Sequence, residues 1–146
     1  MQPLTADEAA LWRAWEAASV ALSQVSAEVT AETGLSEPDL TVLTRLHDAE
    51  GGRVRQSELG AATGWHRSRL SHHLRRMAER GLVARTEVPG GVEVRLTTMG
   101  RAATVRARPV HAAAVRRHLV QPLPARDRQR LLALLNRLAV SRPPGS

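Results

Sequence analysis

The sequence of 146 residues contains no cysteine, lysine, phenylalanine or tyrosine. The lack of cysteine excludes disulfides, thiolate metal sites and cysteine-based peroxide sensing. Trp12, Trp15 and Trp65 are the only aromatic residues, so a hydrophobic core has to be built from leucine, valine and alanine, a composition that favours helices. Because lysine is absent from the sequence, the use of arginine instead of lysine at a given position carries no information. Only the position of each arginine is informative.

Long apolar runs are missing as well. The first ten residues are acidic and contain no apolar run of the kind found in signal peptides, and no later stretch is long enough to cross a bilayer. We therefore expect a cytoplasmic protein with no membrane partner. With 146 residues and 42% hydrophobic composition, the chain can form one domain (1–146) with its own core, or a small domain that shares core with a partner.

Catalytic and metal-binding motifs are not found. The chain has no Gly-x-Ser-x-Gly elbow, phosphate loop, His-Glu-x-x-His pair or paired carboxylates, so neither enzyme activity nor a cofactor is predicted. Of the six histidines, neighbouring His72 and His73 would diverge by about 100° on a helix. Other combinations are too far apart or need further ligands: His66 with His73, His47 with Glu50, and His111 with His118. We predict no metal site, and histidines that are solvated or face DNA.

Charge is distributed unevenly along the chain. Residues 1–52 contain two arginines and nine acidic residues, a net charge of −7, whereas residues 53–85 have a net charge of +6 and residues 86–146 of +8. If the acidic first block packs beside the basic last block, their charges nearly cancel and the central block remains as an unbalanced positive surface. This pattern predicts a polyanionic partner, double-stranded DNA.

Capping signals and apolar spacing predict two helices in the first third. A capping box at Thr5–Glu8 begins the first, whose apolar residues recur at three- and four-residue steps up to Gly34. Ser36 is predicted to cap the second, which has a proline in its first turn and ends before two glycines. Residues 53–56 follow as a brief extended segment.

The central block predicts a helix–turn–helix followed by a β-hairpin. Gly64 separates the two short helices, and Pro89–Gly91 forms a tight turn between two alternating strands, a β-wing. The helices span 57–63 and 66–80, and the strands 82–88 and 92–96.

Two further helices are predicted after the wing. Thr97 caps a helix that runs through Leu119 with a kink at Pro109, and a leucine-rich helix follows. The last and the first helix present more apolar surface than a chain of this size can easily bury alone, which predicts a dimer, with burial inside one chain as the alternative. The tail, residues 141–146, is predicted to be disordered.

The second helix of the helix–turn–helix has one apolar and one basic side. Leu70, Leu74 and Met77 fall in one sector, which should pack on the preceding helix, and only Glu79 is acidic on the rest. Arginine can bind guanine with two hydrogen bonds, so the basic side predicts DNA recognition, against the alternative of an ordinary solvated face. The candidate DNA contacts, with the flanking helix ends and wing strands, are Arg55, His66, Arg67, Ser68, Arg69, Ser71, His72, Arg75, Arg76, Arg85 and Arg95.

The order of these elements resembles the MarR family of winged-helix transcriptional regulators over nearly the whole chain. The residues that resemble the family are Leu40–Leu43, Gln56–Leu59, Ala62–Gly64, Arg67–Ser68, Leu74–Met77, Glu79–Val83, Val94–Thr97 and Gly100–Arg101. The resemblance implies a mainly α fold with a small β-wing, in which a winged helix-turn-helix (53–97) is flanked by dimerisation helices (5–50 and 98–140). It also implies a homodimer on a pseudo-palindromic operator, with half-sites about 10 base pairs apart.

Two positions depart from the family pattern. Many relatives have an Asp-Arg pair at the wing tip whose arginine enters the minor groove, whereas Pro89–Gly91 is uncharged, so Arg85 and Arg95 on the strands are the expected phosphate contacts. His66 stands where Ser, Thr or Asp would usually cap the recognition helix, so either the cap is lost or His66 serves DNA.

The resemblance also implies a small-molecule effector, often aromatic, bound between the dimer layer and the winged domain. Trp12, Trp15 and His47 are the candidate ligand-binding residues, with packing in the core or the dimer as the favoured alternative for the tryptophans. Trp65 is expected to pack the turn or to contact the DNA backbone. A homodimeric repressor that an effector releases is the predicted function. The alternatives are a sequence-tolerant architectural DNA-binding protein without an effector, and a protein-interaction module.

Overall fold

The computed structural model describes residues 1–140, which form six α-helices and one three-stranded antiparallel sheet. The helices are α1 (Ala6–Thr33), α2 (Glu37–Asp48), α3 (Gln56–Thr63), α4 (Arg67–Glu79), α5 (Thr98–Val115) and α6 (Ala125–Val140). The strands are β1 (Arg53–Arg55), β2 (Val83–Val88) and β3 (Gly91–Leu96). The mainly α fold with a β-wing is confirmed, and the predicted disordered tail at 141–146 lies outside the described residues.

The predicted capping box at Thr5–Glu8 is present, and the predicted N-cap Ser36 turns out to be part of a second capping box. The backbone N–H of Thr5 donates to the Glu8 carboxylate (2.8 Å), and the N–H of Glu8 donates to the Thr5 hydroxyl (3.3 Å). At α2 the N–H of Ser36 donates to Asp39 Oδ2 (2.9 Å), and the N–H of Asp39 donates to Ser36 Oγ (3.2 Å). These bonds satisfy amide groups that have no partner within the helix.

The helix after the wing ends earlier than predicted. It is α-helical only to Val115, with Pro109 inside it, and Arg116–Val120 form a turn of π-helix instead of continuing the α-helix through Leu119. The N–H of Gln121 donates to the carbonyl of Arg116 (2.8 Å), which closes this wider turn. Pro122 and Pro124 follow directly, and neither has an N–H to extend the helix.

The strand order is β1–β3–β2, so the central strand is β3. Val54 of β1 pairs with Val94, and Val83 of β2 pairs with Leu96. Val83, Val94 and Leu96 are buried, so this side of the sheet faces the core. At the hairpin turn Gly90 has a φ of +84°, a conformation that favours glycine.

Two compact units divide the described chain, one formed by residues 1–32 and 110–140 and the other by residues 33–109. The second unit is larger than the predicted winged segment 53–97. It includes α2, where Val42, Leu43 and Leu46 are completely buried, and the first part of α5, where Thr104 and Ala107 are completely buried. Helices assigned from the sequence to the dimer layer thus also complete the core of the winged unit.

The first unit has few buried residues and many exposed apolar ones. Val25, Val29 and Ala114 are buried, and Glu28 of α1 pairs with Arg117 (2.6 Å) and His118 (2.5 Å) of the π-helical turn. The large exposed apolar side chains of this unit are Met1, Leu4, Leu11, Trp12, Trp15, Val20, Leu22, Leu119, Leu132, Leu134, Leu135, Leu138 and Val140. Trp12 and Trp15 are 55% and 49% exposed. The prediction that they pack in the core of a single chain is therefore wrong.

Within residues 1–140, no helix combines the length and the apolar character that crossing a bilayer requires.

Candidate DNA-binding surface

The recognition helix α4 packs with the side that its sequence predicts. Leu70, Leu74 and Met77 are each at most 2% exposed, and Leu59 of α3 is buried as well. Gly64 has a φ of +67° and ends α3 in the left-handed conformation, and its N–H donates to the carbonyl of Gly60 (2.9 Å). The turn between α3 and α4 therefore depends on a glycine.

His66 lies at the N-cap of α4 and makes no side-chain capping bond. Its carbonyl accepts the N–H of Leu70 (3.0 Å), whereas its ring Nδ1 lies 3.0 Å from the hydroxyl of Ser68. The usual side-chain cap is thus lost, and the amide groups of the first turn remain available to an acceptor from outside the helix. A role of His66 in binding DNA stays a prediction.

The opposite side of α4 is exposed and basic. One of its arginines, Arg75, donates to Nδ1 of His72 (2.7 Å), which places the two side chains against each other. Its exposed polar residues are Arg67, Ser68, Arg69, His72, Arg75 and Arg76. Glu79 is the one acidic residue of the helix, at its C-terminal end.

His73 corrects the expectation that the histidines are solvated or face DNA. It is 8% exposed, and its Nε2 lies 3.1 Å from Oδ1 of Asp39, which is 2% exposed. Neither atom has a well-aligned hydrogen bond, so the contact is mainly electrostatic. On the other side of the ring, Arg76 Nη2 donates to Nδ1 (3.3 Å). No local pattern predicts this pairing, because it joins α4 to the first turn of α2.

Asp39 connects two helices through its carboxylate. Besides the Ser36 amide, Oδ2 accepts a hydrogen bond from Nη1 of Arg80 (2.7 Å), whose Nη2 donates to the carbonyl of Gly34 (3.2 Å). Burial opposes ionisation of Asp39, but the bonds from Arg80 and Ser36 outweigh it, so the pKa of this carboxyl is lower than usual. The end of the recognition helix is therefore fixed to the start of α2 by an ionised carboxylate.

Burial lowers the pKa of His73 below its ordinary value of 6.5; the Asp39 carboxylate opposes this shift, and Arg76, Arg80 and Arg69 add to it. The unfolded chain therefore binds more protons than the folded chain between the folded-state pKa and about pH 6.5. By linkage, the contribution of His73 to stability is complete above about pH 6.5 and is lost as the pH falls towards the folded-state pKa.

We therefore expect the free energy of unfolding to decrease between pH 7.5 and pH 5.5, measured by urea denaturation. His73→Asn should remove part of this decrease, whereas His72→Asn, which removes the exposed neighbouring imidazole, should retain the wild-type profile. An unchanged pH dependence in His73→Asn would contradict the assignment.

Arg85 is half-buried and makes hydrogen bonds inside the protein. Its Nη2 donates to Oε1 of Gln56 (3.0 Å) and to Oγ of Ser71 (3.3 Å). It thus joins β2 to the first residue of α3 and to the second turn of α4. Arg95 of β3 is exposed, so of the two predicted phosphate contacts on the wing strands, Arg95 has the more accessible charge.

Arg55 places a positive charge at the wing tip. It lies on β1, opposite Glu93 of β3, and its Nη1 donates to the carbonyl of Pro89 (3.0 Å). A Cβ atom at Gly90 would lie 3.7 Å from the same nitrogen, so the guanidinium rests on the bare backbone of the turn. The wing tip has no charged residue of its own, but the structure brings one to it from a neighbouring strand.

The candidate effector residues belong to different compact units. Trp12 and Trp15 are in the first unit, whereas His47 is in α2 of the second, where its Nδ1 lies 3.3 Å from Asp48, the partner of Arg108. Among residues 1–140, no group of three acidic or histidine side chains is arranged to hold a metal ion.

The helix–turn–helix of α3 and α4, followed by the β2–β3 hairpin, makes this a winged-helix protein. Residues 35–89 match a family model described as a domain of unknown function (DUF7343). A search of the curated proteins finds no match.

Solved structures are similar along nearly the whole chain. AbsC, a MarR family transcriptional regulator from Streptomyces coelicolor, is 31% identical with a TM-score of 0.88, over 95% of this chain and 96% of AbsC. Sco3205, a MarR family regulator from the same organism in complex with DNA, is 27% identical with a TM-score of 0.91, over 100% and 95%. A mutant MarR from E. coli complexed with operator DNA is 20% identical with a TM-score of 0.79, over 94% and 99%. The chain belongs to the MarR family of transcriptional regulators.

Proposed function

We propose that the protein is a homodimeric transcriptional repressor that binds a pseudo-palindromic operator through α4 and is released by a small-molecule effector. The exposed basic side of α4, opposite a fully buried apolar side, is the observation that carries the proposal. A solvated helix face usually mixes charges, whereas this one has acidic character only at its far end. The similar regulator Sco3205 was solved in complex with DNA, which supports DNA as the partner proposed for this chain.

Dimerisation through α1 and α6 is the second part of the proposal. Leucines of α6 that are 37–61% exposed, together with the exposed tryptophans of α1, make an apolar surface that a single chain leaves in contact with water. Two-fold symmetry would then present two copies of α4 to successive major grooves, about 10 base pairs apart.

The wing contributes through arginines that come from its strands. Arg55 at the tip and Arg95 on β3 are the proposed contacts, with Arg55 replacing the charge that Pro89–Gly91 lacks. An arginine at the tip could enter a narrow minor groove, where the negative potential is strongest. Arg95 would contact phosphates and would add affinity without sequence information.

Release by an effector rests on the family membership, and Trp12, Trp15 and His47 are the proposed contacts. Adding candidate aromatic compounds to the operator complex tests this part. An effector should lower the affinity for the operator, and Trp12→Ala or His47→Ala should reduce that response. Variants that bind the operator and respond as the wild type does would remove those residues from the effector site.

Selection of DNA from a random pool tests the operator. A repressor should select one palindromic sequence and prefer it over scrambled DNA by at least about a thousandfold. Equal affinity for selected and scrambled DNA would indicate an architectural protein instead. Affinity weaker than micromolar for every sequence, even at low salt, would indicate a protein-interaction module.

Arg67→Ala and Arg69→Ala should each lower the preference for the operator over single-base variants. An arginine contact to guanine contributes roughly 1–3 kcal/mol of discrimination, so the preference should fall about 5- to 150-fold at the affected position. Arg95→Ala is the matched control, because loss of a phosphate contact should weaken all DNA about equally. If both α4 variants keep the wild-type preference, α4 does not recognise the bases.

Leu135→Glu combined with Leu138→Glu should convert the dimer to monomers and abolish operator binding. Both side chains are exposed in a single chain, so the substitutions should not unfold the winged unit. Ala133→Glu, on the opposite side of α6 at 100° per residue, adds the same type of charge and should leave the dimer intact. Sedimentation measures the outcome, and a dimer that persists in the double variant would place the interface elsewhere.

A further inference from the structure

Trp65 contacts an arginine of the recognition helix. The Cζ atom of Arg69 lies 4.7 Å from the centroid of the Trp65 ring, within the distance of a cation–π interaction. Trp65 lies in the turn between α3 and α4 and is half-buried, whereas Arg69 is exposed on the basic side of α4. The contact therefore joins a residue of the turn to a candidate base contact one helical turn away.

Contacts with neighbouring residues fix the orientation of Trp65. Its backbone N–H donates to Thr63 Oγ1 (3.3 Å), directly after the left-handed Gly64. Its ring is perpendicular to that of His73, with 5.8 Å between the ring centroids. Because His73 lies against Asp39 in the buried part of the winged unit, the contacts run without interruption from Asp39 through His73 and Trp65 to Arg69.

A cation–π contact of this kind leaves the guanidinium able to bind a base at the same time. A guanidinium that lies with its flat face over an aromatic ring keeps the N–H donors along its edge free for the two acceptors of a guanine. The contact also restricts a long side chain before DNA is bound, and ordering such a side chain only on binding costs about two- to tenfold in affinity. Arg69 held over Trp65 has lost part of this freedom in advance.

We infer that Trp65 is a positioning residue for sequence recognition: it holds the guanidinium of Arg69 over its ring, and the Asp39–His73 pair holds Trp65. This inference rests on the proposed function, since it concerns how α4 recognises its operator. It assigns to Trp65 a role in specificity, beyond packing of the turn or contact with the DNA backbone.

The test uses the operator selected by the wild-type protein and all single-base variants of it. Trp65→Leu keeps apolar bulk and removes the aromatic ring, and it should reduce discrimination about two- to tenfold at the same base pairs that Arg69→Ala affects. Trp65→Phe keeps an aromatic face and should restore discrimination to within about twofold of the wild type. Thermal unfolding verifies that each variant is folded, and Trp65→Met replaces Trp65→Leu if the latter is not.

Double variants separate positioning from packing. Trp65→Leu should add no further loss of discrimination to Arg69→Ala, because the side chain that it positions is already gone. In combination with Arg67→Ala, which removes an arginine that is not stacked on Trp65, the two losses should multiply. A purely structural Trp65 would instead weaken binding to every sequence alike and would multiply with both arginine variants.

The outcomes distinguish this inference from the proposed function. An operator that is selected by the wild type but recognised equally well by Trp65→Leu would overturn the role of Trp65 and leave the repressor proposal intact. Independent losses in Trp65→Leu and Arg69→Ala would overturn it as well. If the wild type selects no operator at all, the proposed function fails, and the inference fails with it.

Discussion

Replacing Gly100 by alanine should destabilise the winged unit by about 3 kcal/mol or more, the largest effect we expect from a single methyl group in this protein. A Cβ atom at this position would lie 2.0 Å from the carbonyl oxygen of Leu82 and 2.9 Å from Cδ1 of Leu96. The first of these contacts is to backbone, which cannot rotate away as a flexible side chain could.

The backbone around Leu82 is held in place by the start of α5. The hydroxyl of Thr97 shares its single proton between the carbonyls of Gly81 (2.6 Å) and Leu82 (3.0 Å), and accepts the N–H of Gly100 (2.9 Å). Moving Leu82 away from a new methyl group would break these bonds and displace β2 from the buried side of the sheet. The structure therefore cannot accommodate the extra atom without losing these contacts.

Gly60→Ala is the matched control for this prediction. A Cβ atom at Gly60 would meet only Cδ2 of Leu70, at 3.7 Å, an ordinary contact, and Gly60 lies within α3. Alanine should therefore leave stability unchanged or raise it by up to about 1 kcal/mol, since glycine costs conformational entropy inside a helix. Urea denaturation compares the variants, and equal midpoints for Gly100→Ala and the wild type would contradict the close approach of α5 to Leu82.

Asp39→Ala should lower the free energy of unfolding by about 2–3 kcal/mol. The substitution leaves the Ser36 amide and Arg80 without their acceptor and removes the negative charge beside His73. Breaking a buried ion pair by removing one partner is costly, but Arg80 is 44% exposed and can regain water, which reduces the loss. Disconnecting the end of α4 from α2 should also reduce operator affinity, beyond the effect on folding.

Two other variants test the cause of this loss. Asp39→Asn keeps an oxygen that can accept the Ser36 amide and removes the charge, so its effect should be intermediate. Asp48→Ala removes an exposed carboxylate that also pairs with an arginine, and it should have little effect on the unfolding midpoint. If Asp39→Ala behaves as Asp48→Ala does, the contacts of Asp39 with Arg80 and His73 do not stabilise the fold.

Local signals were enough to predict the order of the elements. The capping box at Thr5 and the N-cap at Ser36 lie where the sequence predicted them, and Gly64 separates the helices of the helix–turn–helix. The turn at Pro89–Gly91 separates two paired strands. These signals act over a few residues, and each has a direct backbone cause, either an amide that needs an acceptor or a φ that favours glycine.

The contacts around the candidate site depend on residues that are distant in the sequence. Asp39 and Arg80 are 41 positions apart, and Arg55 and Pro89 are 34 positions apart, so no local pattern predicts either contact. The sequence predicted Ser36 as an N-cap, but neither the return hydrogen bond to Asp39 nor the burial of this carboxylate beside His73 was predicted. The burial of His73 was missed for the same reason.

The sequence and the tertiary structure determine different features of the recognition helix. The sequence determined that α4 has an apolar and a basic side, because residues three or four positions apart lie on the same side of a helix. The tertiary structure decided what the arginines of the DNA-binding region do: Arg69 lies over the ring of Trp65, Arg85 joins three elements, and Arg55 reaches the wing tip. Such contacts depend on which segments the folded core brings together, and that is set by the packing of the whole winged unit and not by any single stretch of the chain.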